Sequence, residues 1–201
     1  VKKLLAFLVR HGETTLNASG CFRSWIDVPL DATGKKQALD AARFLWSQQV
    51  VRIFASPLIR TVNTAEVLAL PKRIPIQQDR GLLPWRLGLF SGLDKDSNLD
   101  ALNLFVQNPE VEIPNGESLQ QFRWRTHGFF DEQLEKSKKA LTVFFTHTSN
   151  ITSLENYIGH NTEARPESGE LVKPGGIVAV YEENGEYKIK PVFNGNKSED
   201  D

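Results

Sequence analysis

The run Leu8-Val9-Arg10-His11-Gly12-Glu13-Thr14 brings a forked cation, an imidazole and a glycine together at consecutive positions. Arg10 offers planar donors matched to phosphate oxygens. His11 can act as a nucleophile when its ring is neutral. Gly12 allows a tight turn and close approach of a ligand to the main chain. Phosphoryl transfer needs these parts: a nucleophile in line with the leaving oxygen, and cationic donors around the equatorial oxygens. Two more residues of the same types stand downstream, Arg60 in Ser56-Pro57-Leu58-Ile59-Arg60-Thr61 and His147 after Thr146.

Each of these residues follows an apolar run that reads as a strand. Leu4–Val9 delivers the Arg-His-Gly turn at its C-terminal end, where open α/β sheets bind ligands. Val51–Ala55 leads into Ser56-Pro57 and a helix over Leu58–Leu70, closed by Pro71, with Arg60 in its first turn. Leu141–Thr146 reads as a central strand covered on both faces and ends at His147. Between these lie a helical pattern from about Gly34 to Gln49, with Ala38, Ala41, Ala42 and Leu45 on one face, and a short strand Ile74–Gln77. Pro75 puts that strand at an edge. Ser118–Lys138 is the clearest helix, and Ile177–Tyr181 and Tyr187–Val192 flank the hairpin turn Asn184-Gly185. His127 falls within a helix and His160 near a helix end, so both are expected to be structural or solvated.

Residues 82–117 carry Pro84, Gly88, Gly92, Pro109, Pro114 and Gly116 and form the least regular stretch. It is expected to shape or cover a pocket, with one helical piece near Leu99–Gln107. The alternation of elements predicts a three-layer α/β/α sandwich with a mostly parallel central sheet. A single domain is expected over residues 1–195, with a flexible acidic tail at 196–201.

The chain of 201 residues, 40% hydrophobic and 24% charged, has the composition of an ordinary soluble globular protein. A net charge of −1 argues against a nucleic-acid partner bound on a broad cationic surface. Cys21 is the only cysteine, so neither a disulfide framework nor a cysteine-based zinc site can form within the chain. No apolar run reaches the length of a membrane span. Lys2-Lys3 before Leu4–Val9 superficially resembles the start of a secretion signal, but Arg10 ends the run early. A core strand and a cytoplasmic location are the expectations.

The quoted motifs resemble those of the histidine phosphatase superfamily, which includes cofactor-dependent phosphoglycerate mutase and its phosphatase relatives. The family signature of Arg-His-Gly-Glu-Thr, two residues and Asn is similar to Arg10 through Asn17. The likeness continues, in the family's order, through Trp25-Ile26-Asp27-Val28-Pro29-Leu30, Gly34-Lys35-Lys36-Gln37-Ala38, Ser56 to Thr61, Gly116-Glu117-Ser118 and Thr146-His147. The resemblance implies the phosphoglycerate mutase-like fold and assigns His11 as the nucleophile of a phosphohistidine intermediate. An imidazole flanked by Arg10 and Arg60 has its charged form disfavoured, which agrees with that role. By the same resemblance His147 stabilises the transferring phosphoryl group, and Asn17 hydrogen-bonds the phosphate. Arg23 sits where related mutases have a substrate-contacting loop. Thr148 stands where the family commonly has a small residue, which narrows the local space, and it is expected to be a further substrate contact.

One departure concerns the proton donor. The family usually places a Glu four residues before the Gly that aligns with Gly88, and here that position is Pro84. Glu13, Asp94 and Asp96 are the possible substitutes, with Glu13 ranked first because its motif lies beside the nucleophile. The expected function is a metal-independent and cofactor-independent phosphomonoester phosphatase. Its partner would be a small phosphorylated substrate or a phosphoprotein, with inorganic phosphate as product. Phosphoglycerate mutase-type transfer is the first alternative. Against it, only 23 residues separate Gly92 from Gly116, a short covering segment for a mutase. A catalytically weakened phosphate-binding or regulatory module is the second alternative.

Overall fold

The first apolar run lies in a nine-residue strand, Lys2–Arg10 (β1), of a six-stranded sheet. The computed structural model describes residues 2–161 and 172–195. The other strands are Arg52–Ala55 (β2), Ile76–Gln78 (β3), Thr142–Thr146 (β4), Ile177–Glu183 (β5) and Glu186–Phe193 (β6). They pair in the order β3-β2-β4-β1-β5-β6, with β1, β4, β2 and β3 parallel. β5 is antiparallel to both β1 and β6, so it alone runs against the other strands. The sheet is mostly parallel, as expected, and Pro75 lies just before its edge strand.

Side-chain alternation divides the core between the two faces. Phe7 and Val9 of β1, Ile53 of β2 and Phe145 of β4 pack with Ala41, Leu45, Ala65 and Leu68. These last four come from helices Ala32–Leu45 (α2) and Ile59–Lys72 (α3), numbered after a single turn at Thr15–Ala18 (α1). Leu8, Phe54 and Phe144 point the other way, onto Phe129, Phe130, Leu134, Ile151 and Leu154. Those belong to Leu119–Ser137 (α5) and Thr148–Ile158 (α6), while Lys95–Gln107 (α4) lies between α3 and α5 in the chain. The layers are therefore α2 and α3, sheet, α5 and α6. Fully burying each such large apolar side chain contributes about 1.5–3 kcal/mol.

Several boundaries differ from the sequence reading for local reasons. α2 stops at Leu45, because Trp46 is exposed and Gln48 N–H donates to Leu45 O in a tighter turn. α3 runs past Pro71 to Lys72, since a proline so near the end removes one hydrogen bond only. Arg73 then ends the helix with φ at 54°. α4 begins a turn before Leu99, capped by Asp94, whose Oδ1 accepts from Ser97 N–H at 2.9 Å. It buries Leu102 against a smaller cluster that includes Phe22, Trp85 and Phe90. Ser118 caps α5 in a reciprocal bond with Gln121. Asn184 and Gly185 take φ of 53° and 83°, as a tight hairpin turn requires. Among the described residues no helix is long and apolar enough to cross a membrane. The acidic tail expected at 196–201 lies outside the described residues.

Candidate active site

The three chemistry-bearing turns meet because β2, β4 and β1 are neighbours and end level with one another. Arg10 stands opposite Thr146, and Ala55 opposite Phe145. His11 N–H continues the ladder to Thr146 O at 3.0 Å, and Ser56 N–H does so to Phe145 O at 3.0 Å. One residue further along each chain, the side chains of His11, Ser56 and His147 converge at this end of the sheet. The His11 and His147 ring centroids lie 5.1 Å apart.

The Arg-His-Gly turn is held from both sides. Gly12 N–H donates to Thr64 Oγ1 at 3.2 Å, Glu13 N–H to Gln37 Oε1 at 2.7 Å, and Asp31 N–H to Glu13 O at 3.1 Å. A Cβ on Gly12 would stand 2.3 Å from Gly34 O, and one on Gly34 would stand 2.0 Å from Glu13 O. Only paired glycines permit the turn to lie this close to the start of α2.

His11 is buried, and its Nδ1 lies 2.7 Å from Gly12 O. A carbonyl can only accept, so Nδ1 carries the proton and Nε2 of the neutral ring carries the lone pair. Burial first, then Arg60, Arg23 and Arg10, push the ring well below its ordinary pKa, against the opposing pull of the Gly12 carbonyl. Burial, then Arg60, His11, Arg23 and Arg125, do the same to His147. Both rings are neutral at pH 7.

Arg60 enters from the first turn of α3 and is 1% exposed. Its Nη1 donates to Ile26 O at 2.8 Å and its Nη2 to Ser24 O at 2.9 Å. The Trp25-Ile26-Asp27 segment thus braces Arg60, and Asp27 Oδ1 also accepts from Ile59 N–H at 2.8 Å. Burial and then Arg23 push the guanidinium down to about 9, while Asp27 opposes them, so it remains charged at neutral pH. Arg10 Nη1 donates to Val172 O at 3.0 Å. His147 Nε2 pairs with Ser56 Oγ at 2.9 Å. Arg60 Nε, His147 Nδ1 and Thr148 Oγ1 are buried without a hydrogen-bond partner among the described residues. Such groups are rare in folded proteins, and an oxygen-rich anion suits the two nitrogens.

These groups open on a cavity of about 370 Å³. Arg10, His11, Arg23, Arg60, His147 and Thr148 line it together. Glu13 and Asn17 are not among the lining side chains. The Glu13 main chain is pinned against α2, and Asn17 Oδ1 caps α1 by accepting from Thr14 N–H at 3.0 Å and Thr14 Oγ1 at 2.8 Å. Of the three substitute acids, Asp94 is committed to the α4 cap and Asp96 alone reaches the lining, where it is exposed. Pro84 itself lines the cavity. Its carbonyl accepts from Trp25 Nε1 and Arg125 Nη2, each at 2.8 Å. Position 84 therefore faces the chemistry but offers no proton.

Sequence reasoning missed the pairing of Ser56 with His147, although Ser56-Pro57 lies inside a recognised motif. It also missed Lys95 and the wall supplied by α4, because nothing in 82–117 signals which residues turn inward. Among the described residues no three His, Cys, Asp or Glu side chains gather as a possible metal-holding group. A larger groove of about 770 Å³ lies elsewhere, between α5, α6 and the β5–β6 turn, and shares no lining residue with this cavity. In it, His127 stacks on Tyr157 at 4.2 Å and bonds Ser153 Oγ at 2.9 Å.

The chain is similar to proteins named as phosphatases and as phosphoglycerate mutases. Phosphoserine phosphatase 1 of Hydrogenobacter thermophilus is 30% identical over 146 residues, covering 70% of this chain and 69% of that protein. The probable phosphoglycerate mutase GpmB of Salmonella arizonae is 30% identical over 149 residues, covering 72% and 69%. In structure, Bacillus stearothermophilus YhfR superposes with a TM-score of 0.80 at 22% identity, covering 96% of this chain and 97% of that one. The sequence model of the histidine phosphatase superfamily (branch 1) matches residues 6–194. That match runs from β1 through β6 rather than resting on the opening signature, and this chain belongs to the histidine phosphatase superfamily.

Proposed function

We propose that the protein is a phosphomonoester phosphatase that works through a phosphohistidine on His11, without a metal ion, on a small phosphorylated substrate. The observation that carries this reading is the hydrogen bond from His11 Nδ1 to Gly12 O within a buried cationic cavity. It leaves Nε2 with a lone pair beside three guanidinium groups.

Nε2 attacks phosphorus as the ester P–O bond breaks, and the alcohol oxygen leaves with the bonding pair. Arg10, Arg23 and Arg60 balance the charge on the equatorial oxygens, supplying what a metal ion supplies elsewhere. A proton on His147 Nδ1 donates to one of those oxygens, with Nε2 held by Ser56. The alkoxide takes a proton from solvent water, and a second water then attacks the phosphohistidine and gives up a proton to solvent. The N–P bond breaks, the ring recovers its lone pair, and inorganic phosphate leaves.

Denaturing the protein without acid after mixing with substrate should trap an acid-labile phosphate on His11. His11→Ala should abolish turnover, and a chelator should leave it unchanged. Turnover in His11→Ala, or activity lost to chelator and restored by Mg²⁺, Mn²⁺ or Zn²⁺, overturns the reading. Pro84 favours a second reading, a phosphate-binding module with little turnover. It predicts tight inorganic phosphate binding with no phosphoenzyme from any ester.

A further inference from the structure

The cationic end of the cavity accounts for the phosphoryl group but not for the opposite wall. α4 presents Leu99, Leu102 and Val106 to the cavity, at i, i+3 and i+7, which is one stripe of a helix. Phe22, Pro84 and Trp85 continue this wall. Phe22, Trp85 and Leu102 belong to one buried cluster, with Val106 packed against it, so the wall is rigid. Its polar members are confined to Lys95 and Asp96 in the first turn of α4, and Asn103.

The position that faces the leaving oxygen is equally informative. Pro84 is buried, and Arg125, held by Glu117 at 2.6 Å, also bonds Leu83 O and Pro84 O at 2.8 Å each. Asn150 Nδ2 donates to Leu83 O at 3.0 Å. The loop is too well anchored to exchange Pro84 for another side chain. Pro84 cannot protonate an alkoxide, and general acid help is worth ~10²–10⁴-fold to such a leaving group. A phenolate leaves without that help, because phenols ionise at about pH 10, as tyrosine does. The proline at position 84 and the apolar wall therefore select the same partner chemistry.

We infer, resting on the phosphohistidine reading above, that the preferred substrates are phosphate esters of phenols, whose ring lies on the wall formed by α4 and the Phe22, Pro84 and Trp85 side chains. In the transfer step the P–O(aryl) bond breaks as N–P forms. The phenolate leaves with the electron pair and takes its proton from water, and a second water releases inorganic phosphate from His11. The cavity has room for a phosphoryl group with a one- or two-ring body, within the size range of small-molecule sites.

The test separates ring recognition from leaving-group acidity. Phenyl and 2-naphthyl phosphate release phenols of similar acidity, but the second ring adds apolar surface. kcat/KM should be higher for the naphthyl ester by about tenfold. Both should exceed glycerol 3-phosphate and glucose 6-phosphate by ~10²-fold or more. Leu99→Ser, at a position 39% exposed and so tolerant of change, should bring the naphthyl-to-phenyl ratio toward one. Free phosphotyrosine and a short phosphotyrosine peptide are run alongside, and faster turnover of either one assigns the source of the phenol.

Phosphohistidine formation, measured separately with phosphoramidate as donor, distinguishes the two levels of failure. A phosphoenzyme that forms normally, with alkyl esters matching aryl esters or no naphthyl preference, overturns the inference and leaves the phosphatase reading intact. Failure to form phospho-His11 from any donor overturns the reading beneath it.

Discussion

Two neutral, fully buried imidazoles make the stability of this protein depend on pH in a window where carboxylates contribute little. The perturbation is His11→Asn, which retains an amide N–H for Gly12 O but cannot titrate. In the folded chain burial and the arginines hold His11 well below its ordinary value of about 6.5. The unfolded chain therefore binds the extra proton first, and stability falls as pH drops below that value. For one histidine that stays neutral in the fold, the loss between about pH 7.5 and about pH 5 is about 2 kcal/mol. His147 is displaced in the same direction and adds a similar amount. His127, lowered chiefly by burial, is present in both proteins and cancels in the comparison. Urea unfolding at half-unit pH steps should give a wild-type curve steeper than the variant's by about 1.4 kcal/mol per pH unit on the acid side. Parallel curves for the two proteins would show that His11 takes up its proton as readily in the fold as in the unfolded chain, and would refute the depression of its ring by burial and the arginines.

Three further outcomes follow from particular contacts. Glu117→Gln weakens a carboxylate that accepts from Arg125 Nη2 at 2.6 Å, Arg125 Nε at 2.9 Å and Arg86 N–H at 2.9 Å. It should lower unfolding free energy by about 2–3 kcal/mol with an unchanged urea m-value. Pro84→Glu places a carboxyl in the cavity while keeping the position-84 carbonyl for Trp25 and Arg125. Turnover of alkyl phosphates should rise about tenfold or more, with aryl phosphates little affected; a fall for both classes would count against position 84 facing the leaving group. Gly34→Ala puts a methyl group 2.0 Å from Glu13 O, against backbone that must shift. Displacing the Arg-His-Gly turn in this way should cut kcat/KM by about 10²-fold in a protein that keeps its circular dichroism.

Much of the scaffold could be read from local pattern. Strands β1, β2 and β4 are apolar runs ending at the residues with chemistry, and the period of Ala38, Ala41, Ala42 and Leu45 located α2 to within a few residues of its bounds. Short-range turn chemistry was legible too, as at Asn184-Gly185. Element ends were read less well, since a helix stops where burial stops. Trp46 is apolar by type but 54% exposed in place.

By itself the sequence named the groups to look for: Arg10, His11, Arg60 and His147 stand out by type, by the strands that precede them and by their likeness to the family's motifs, and Pro84 stands where that family usually has a Glu. Which of them touch was decided only by tertiary structure. Ser56 and His147 lie 91 residues apart in the chain and 2.9 Å apart in space because β2 and β4 are paired. Glu13 adjoins the nucleophile in sequence yet stays outside the cavity, because its main chain is bound to Gln37 and Asp31. Asp96 and Leu99 are distant in sequence yet line it, because α4 folds back over Phe22 and Trp85. Local spacing governs dihedral preference and hydrophobic period, whereas the solvation and charge that set the state of His11 are sums over neighbours that include Arg23 and Arg60, brought in from elsewhere in the chain.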